Sequence, residues 1–165
     1  MGRKVLVTGG AGYIGSVVVE QLLSRGDLPI VLDDLSTGHR AAVASGAEFI
    51  EGNVGDRLAL ERLFARHTVD ALMHLAAFAL VAESVADPAK YRANNVAAGA
   101  VLLDAAVAAG VRRVIFSSSC TIDACAIPTE PSSLTDFTSN GNFKRFGRRT
   151  FRFIGNTAKF GTFIR

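Results

Sequence analysis

Apolar residues recur through the first two thirds of the chain in two rhythms, short unbroken runs and spaced helical rows. Lys4-Val5-Leu6-Val7 is a continuous run, the pattern of a strand covered on both faces. From Tyr13 to Arg25 the row Ile14, Val18 and Leu22, with Val17 beside it, predicts a helix buried on that side and closed near Gly26. Pro29 to Leu32 and Glu48 to Glu51 predict the second and third strands. Arg57 to Arg66 predicts a helix with Leu60, Leu63 and Phe64 on one side, and Ala71 to His74 a fourth strand. Asp87-Pro88 has the form of an N-cap followed by proline in the first helical position. The helix it opens carries Val96, Ala100, Leu103 and Val107 and stops at Gly110; Val114 to Phe116 is the fifth strand. Strand–helix alternation with short connections predicts an α/β fold with a doubly wound parallel sheet of Rossmann type.

The rhythm stops near residue 120. Seven of the eleven phenylalanines lie beyond that point (137, 143, 146, 151, 153, 160 and 163), at neither the helical nor the strand period, and no valine follows Cys120. The charge divides at the same place: residues 120–165 hold seven Lys/Arg against three Asp/Glu, which exceeds the whole net charge of +3. The expected organisation is therefore a partial nucleotide-binding domain over 1–122 and an irregular tail over 123–165. A reading-frame change near residue 122 would account for the break. Such a sheet would lack its sixth strand and leave the fifth unpaired.

Composition narrows the class. With 49% apolar and 20% charged residues the chain is globular, and it has no run of 18 apolar residues to span a membrane. No secretory leader precedes the first strand, and Cys120 and Cys125 are too few for a disulfide scaffold, so a cytoplasmic location is expected. The two thiols, without a nearby His/Cys pair, are read as idle and not as a metal site. The basic tail, without a folded platform, does not suffice for nucleic-acid binding.

The chemistry sits at the first strand–helix turn. Gly9, Gly12 and Gly15 have the spacing GxxGxxG. The first lets the chain turn sharply, the second has no Cβ to block a pyrophosphate, and the third allows close packing of the helix. The second strand ends in Asp33, 18 residues after Gly15. A carboxylate there accepts hydrogen bonds from ribose hydroxyls and repels a 2′-phosphate, so NAD is expected over NADP. Arg40 is the one nearby cation that could partner a phosphate and weaken that preference.

TGGAGYIGS, DDLSTGHR, HLAA, ESV, DP, NNV, GV and FSSS occur here in the order and spacing of the extended short-chain dehydrogenases/reductases. Over residues 4–122 the chain most resembles the UDP-glucose 4-epimerases within that superfamily. The resemblance implies that Gly9, Gly12, Tyr13, Ile14 and Gly15 form the phosphate turn and that Asp33 holds the adenosine ribose. Asp34, where the family often has Asn, and Ser36-Thr37-Gly38 line the loop beside it. Asn53-Val54 match an Asp-Ile or Asp-Val pair that contacts adenine. Leu75, Ala76 and Ala77 would pass behind the cofactor's ribose and nicotinamide side, and Ala79 stands where many members carry lysine. Asn94 matches an asparagine on the long helix. Ser117 and Ser119 end the fifth strand, Ser119 matching the active-site hydroxyl.

The family's activity needs a tyrosine and a lysine in a YxxxK motif about 25 residues after that serine. Gly141-Asn142-Phe143-Lys144 stands there instead, and the chain's tyrosines, Tyr13 and Tyr91, are both elsewhere. The expectation is an NAD-binding chain of epimerase descent that is itself inactive. Its UDP-sugar partner and the family's homodimer are implied by resemblance only, and dimerisation is not expected of this chain. A nucleotide-sugar dehydratase or decarboxylase, or a non-catalytic NAD-binding remnant, are the alternatives. His74 reads as a packed strand-end histidine, His39 as a loop residue, His67 as a helix-end residue, and Glu83 and Asp87 as helix-end acids.

Overall fold

The computed structural model describes residues 2–117, 152–154 and 160–164. Five parallel strands build the sheet: β1 (Lys4–Thr8), β2 (Leu28–Asp33), β3 (Glu48–Glu51), β4 (Ala71–His74) and β5 (Arg113–Ser117). Their order is β3-β2-β1-β4-β5, with Val7 in register with Val31 on one side and Met73 on the other. Helices α1 (Tyr13–Ser24), α2 (Arg57–Arg66), α3 (Val81–Ala86), α4 (Pro88–Tyr91) and α5 (Gly99–Ala108) complete it. None of the helices among the described residues is long and apolar enough to cross a membrane.

Side-chain alternation along the strands divides the core into two layers. Leu6, Ile30, Leu32 and Leu72 point to one face and pack with Leu60, Leu63, Leu102 and Leu103 of α2 and α5. Val5, Val7 and Val31 point to the other face and pack with Val19 of α1 and Val43. The predicted cap forms at Asp87, whose carboxylate accepts from Lys90 N at 3.0 Å with Pro88 next to it, and Asp56 caps α2 in the same way, accepting from Ala59 N at 3.1 Å.

Three expectations are corrected. The buried side of α1 holds Gly15 and Val19, with Leu22 and Leu23 half-buried, while Ile14 and Val17 face solvent. Gly15 draws its own side of the helix inward, because a Cβ there would collide with the carbonyl of Gly9. The long helix is not one α-helix. Residues Arg92–Ala98 form a π-helical stretch between α4 and α5, so the row counted from Val96 slips out of phase. Of that row Leu103 is buried, Val96 is exposed, and the α5 face is made by Gly99, Leu102, Leu103 and Ala106. Finally, β5 is not unpaired. β7 (Phe160–Ile164) runs antiparallel to it with Ile115 opposite Thr162, and β6 (Arg152–Ile154) pairs with β7. A strand edge recruits extended backbone through its free N–H and C=O groups, for which side-chain period is no guide.

The α1 packing has a direct check. Val19 is fully buried whereas Val17 is 49% exposed. Val19→Ala should cost about 2 kcal/mol in urea unfolding and Val17→Ala less than about 0.5 kcal/mol.

Candidate functional site

The strand order reverses at β1, whose neighbours are β2 and β4, the position where a doubly wound sheet has its ligand crevice, beyond the strands' carboxyl ends. The glycine turn lies across it. Gly9 adopts φ +74°, a left-handed conformation suited to glycine, and its N–H donates to Leu32 O at 3.0 Å. A Cβ on Gly9 would come 2.7 Å from Ala76 N, so the turn and the segment after β4 touch backbone to backbone. Leu75 N donates to Thr8 O at 3.0 Å and seals the same seam. Gly12 is the N-cap of α1 with no side-chain cap, and the first helix bond runs from Ser16 N to Gly12 O. The N–H groups of Tyr13, Ile14 and Gly15 therefore have no intrahelical acceptor. A Cβ on Gly12 would meet Gly9 O at 3.3 Å and no other atom within 4 Å beyond its chain neighbours, so the outward side of the turn is open.

Asp33 is buried at the end of β2 and grips the turn. Its Oδ2 accepts from Ala11 N and its Oδ1 from Leu35 N, each at 2.9 Å. Each carboxylate oxygen has two acceptor sites, so one bond apiece leaves capacity for hydroxyls. Leu35 pays a conformational penalty for this arrangement, with φ 58°, on the order of 1 kcal/mol for a non-glycine residue. Asp34 turns outward. Its Oδ1 accepts from Ser36 N at 3.0 Å and its Oδ2 from Asn53 Nδ2 at 2.8 Å. Burial pushes this carboxyl up, but the hydrogen bonds from Ser36 and Asn53 outweigh it and hold it below the ordinary carboxylate range. Asn53 is itself oriented, its Oδ1 accepting from Gly55 N at 2.8 Å. Asn53 and Asp34 are the positions where the resemblance implies Asp and, often, Asn. The structure brings them into contact, and the exchange keeps a hydrogen bond with donor and acceptor reversed.

The loop after β2 closes on the turn at Gly38, where a Cβ would collide with Ala11, and His39 N donates to Ala11 O at 3.0 Å. The Arg40 guanidinium lies over the Phe49 ring, 4.4 Å from its centroid, a partner other than the phosphate considered for it. Val54 is buried and belongs to the same core layer as Leu32. Ala76 is half-buried and Ala77 exposed beside the seam.

On the far side of the crevice the π-helical stretch supplies a residue that sequence reasoning missed. Asn95 holds the backbone of Phe78: its Oδ1 accepts from Phe78 N and its Nδ2 donates to Phe78 O, each at 2.9 Å. Asn94 Nδ2 donates to the Asn95 oxygen. The doublet Asn94-Asn95 was the available signal for Asn95, but its bond to Phe78 depends on the helix phase. Tyr91 OH donates its one proton to Glu83 Oε2 at 2.8 Å, with Leu80 O at 2.9 Å beside it, and accepts from Leu80 N at 3.0 Å. Burial, then the Glu83 hydrogen bond, pushes the Tyr91 phenol up. Hydrogen bonds from Lys90 and Tyr91 hold Glu83 below the usual carboxylate range. Ser117 is half-buried at the end of β5. Ser119, Cys120 and Cys125 lie outside the described residues.

Under the turn, His74 Nδ1 lies 2.7 Å from Thr8 Oγ1, and its ring packs on Phe116. Both partners and the burial fit the packed reading of this histidine. His39 is in a loop and His67 caps α2, as expected.

A nucleotide-binding crevice of the doubly wound class is what this geometry defines, and comparison with known proteins narrows it. The chain belongs to the NAD dependent epimerase/dehydratase family, whose model matches residues 5–145, past the composition break. It is 48% identical over 120 residues to a UDP-glucose 4-epimerase of Streptomyces lividans, a match covering 72% of this chain and 36% of that protein. Among solved structures, UDP-glucose 4-epimerase from Brucella ovis in complex with NAD superposes with a TM-score of 0.71 at 43% identity, covering 78% of this chain and 39% of that one. The Thermotoga maritima UDP-glucose 4-epimerase with UDP-glucose gives 0.69 at 42% identity, over 70% and 38%. The chain thus spans about a third of the length of the relatives it matches.

The buried histidine makes stability depend on pH. Burial lowers its pKa from 6.5 to about 4. Between those values the unfolded chain binds a proton that the folded one excludes, so stability is full above pH 6.5 and falls as the pH drops towards 4. The loss should reach roughly 2–3 kcal/mol in urea unfolding. A His74→Gln chain should show a shallower decline over the same window.

Proposed function

We propose that this chain binds NAD across the carboxyl ends of β1, β2 and β4, as the cofactor-holding part of a UDP-glucose 4-epimerase-type isomerase of galactose metabolism. One observation carries the reading: the uncapped N-terminus of α1 opens on the same turn that Asp33 grips from the end of β2. The N–H groups of 13–15 and the positive helix end suit a pyrophosphate, and Gly12 leaves room for it. The remaining lone pairs of Asp33 suit the two ribose hydroxyls. The end of β2 presents the carboxylates of Asp33 and Asp34 to a 2′-phosphate, while Arg40 on the following loop lies over the Phe49 ring. NAD, when bound, supplies a hydride acceptor and donor at its nicotinamide. The seam between Gly9 and Ala76 and the Asn95–Phe78 clamp fix the walls against which that ring would lie.

The relatives' names supply the substrate class, a UDP-sugar, and Ser119 is the hydroxyl proposed to orient it. A general base is a different matter. Tyr13 is 90% exposed beside the phosphate turn, and the Tyr91 hydroxyl is occupied by Leu80 and Glu83. Neither phenol can take a sugar proton. The proposal is therefore cofactor binding without turnover in this 165-residue chain.

Titration with NAD⁺ and NADP⁺ should show tighter binding of NAD⁺. Gly12→Ala should weaken NAD⁺ binding by about tenfold or more with only a modest fall in Tm, because its Cβ meets the fold at a single atom, Gly9 O at 3.3 Å, and otherwise stands on the open side of the turn. Equal affinity for the two dinucleotides would refute the assignment of Asp33.

Activity gives a second check. Loss of a general base costs on the order of 10²–10⁴ in rate. The purified chain with saturating NAD⁺ should not measurably interconvert UDP-glucose and UDP-galactose. Turnover that disappears in Ser119→Ala would overturn this part of the reading.

A further inference from the structure

Asp33 and Asp34 are consecutive at the end of β2, yet their carboxylates do different things. Asp33 is buried and held by the N–H groups of Ala11 and Leu35, whereas Asp34 is exposed and held by Ser36 N and Asn53 Nδ2. Asn53 cannot turn its oxygen toward Asp34 without giving up the bond from Gly55 N, so its NH₂ faces the carboxylate. Both Asp34 oxygens receive N–H donors, a setting that favours the ionised form. Relative to the resemblance, the acid has moved from position 53 to position 34, the residue next to Asp33. The nearest guanidinium on the loop, Arg40, is stacked on Phe49.

We propose that Asp34 is a second specificity-determining carboxylate, oriented by Asn53, which acts with Asp33 to turn away a dinucleotide carrying a 2′-phosphate. The inference rests on the NAD-binding reading above. Its physical basis is charge repulsion at the adenosine end: one negative charge some 7 Å from a dianionic phosphate in water changes affinity by roughly three- to tenfold.

The test uses the full chain and three variants, Asp34→Asn, Asn53→Asp and the double variant, with fluorescence titrations of NAD⁺ and NADP⁺ and thermal unfolding. Asp34→Asn removes the charge and, because only one of its two atoms can still accept, one of the two exposed hydrogen bonds from Ser36 N and Asn53 Nδ2. It should lower the ratio of the NADP⁺ Kd to the NAD⁺ Kd by roughly three- to tenfold, with a smaller fall in Tm than Asn53→Asp. Asn53→Asp sets two carboxylates face to face and should lower Tm, and the double variant should recover it with the hydrogen bond reversed. An unchanged ratio in Asp34→Asn, with NAD⁺ still bound, would overturn this inference alone. A double variant no more stable than Asn53→Asp would overturn the role of Asn53. If NAD⁺ binds to none of the four proteins, the NAD-binding reading fails and this inference with it.

Discussion

The site depends on three backbones meeting without side chains between them. Gly9 lies against Ala76, and Gly15 lies against the carbonyl of Gly9, so the β1 turn, the segment after β4 and the first turn of α1 form one contact. The character of the crevice comes from that approach. The α1 N-terminus is brought over the strand ends, its free N–H groups are aimed outward, and the α1 face is set by Gly15 and Val19. A single methyl at either position would push α1 away from the sheet and separate the anion-binding end from Asp33.

Asp33 links recognition to architecture. Its carboxylate is bonded to the turn through Ala11 and to its own loop through Leu35, so the group suited to ribose hydroxyls also holds the phosphate turn in shape. The left-handed Leu35 is the strained residue in this arrangement. A local conformational cost at a binding loop, sustained by packing around it, is a recurring feature of functional sites.

Much of the framework was legible from pattern alone. The strands Glu48–Glu51 and Ala71–His74 and the helix Arg57–Arg66 fall where the periodicity places them, because short runs flanked by turn residues leave little freedom. The glycine turn and Asp33 were legible for a different reason, since their spacing encodes a steric requirement. What escaped was information that only packing creates. Ile14 and Val17 are as apolar as Val19, and the contact of Gly15 with Gly9 chose between the two sides. Asn94 and Asn95 are chemically identical neighbours, distinguished by helix phase. Asp34 and Asn53 read as two separate departures until their 2.8 Å hydrogen bond showed them to be one.

The π-helical stretch joins two surfaces of one long helix. Tyr91 just before it and Asn95 within it face the loop that carries Phe78 and Leu80; after it, Leu102, Leu103 and Ala106 face the sheet. A π turn holds one residue more than an α turn, equivalent to an insertion that rotates the rest of the helix by about 100°. Removing one residue between 92 and 98 would restore a regular helix and turn one surface away from its partner. The stretch is thus a splice between two reading frames of side-chain direction. Length in this segment is constrained to the single residue, even where the identities of exposed Arg92, Ala93 and Ala97 are free to drift.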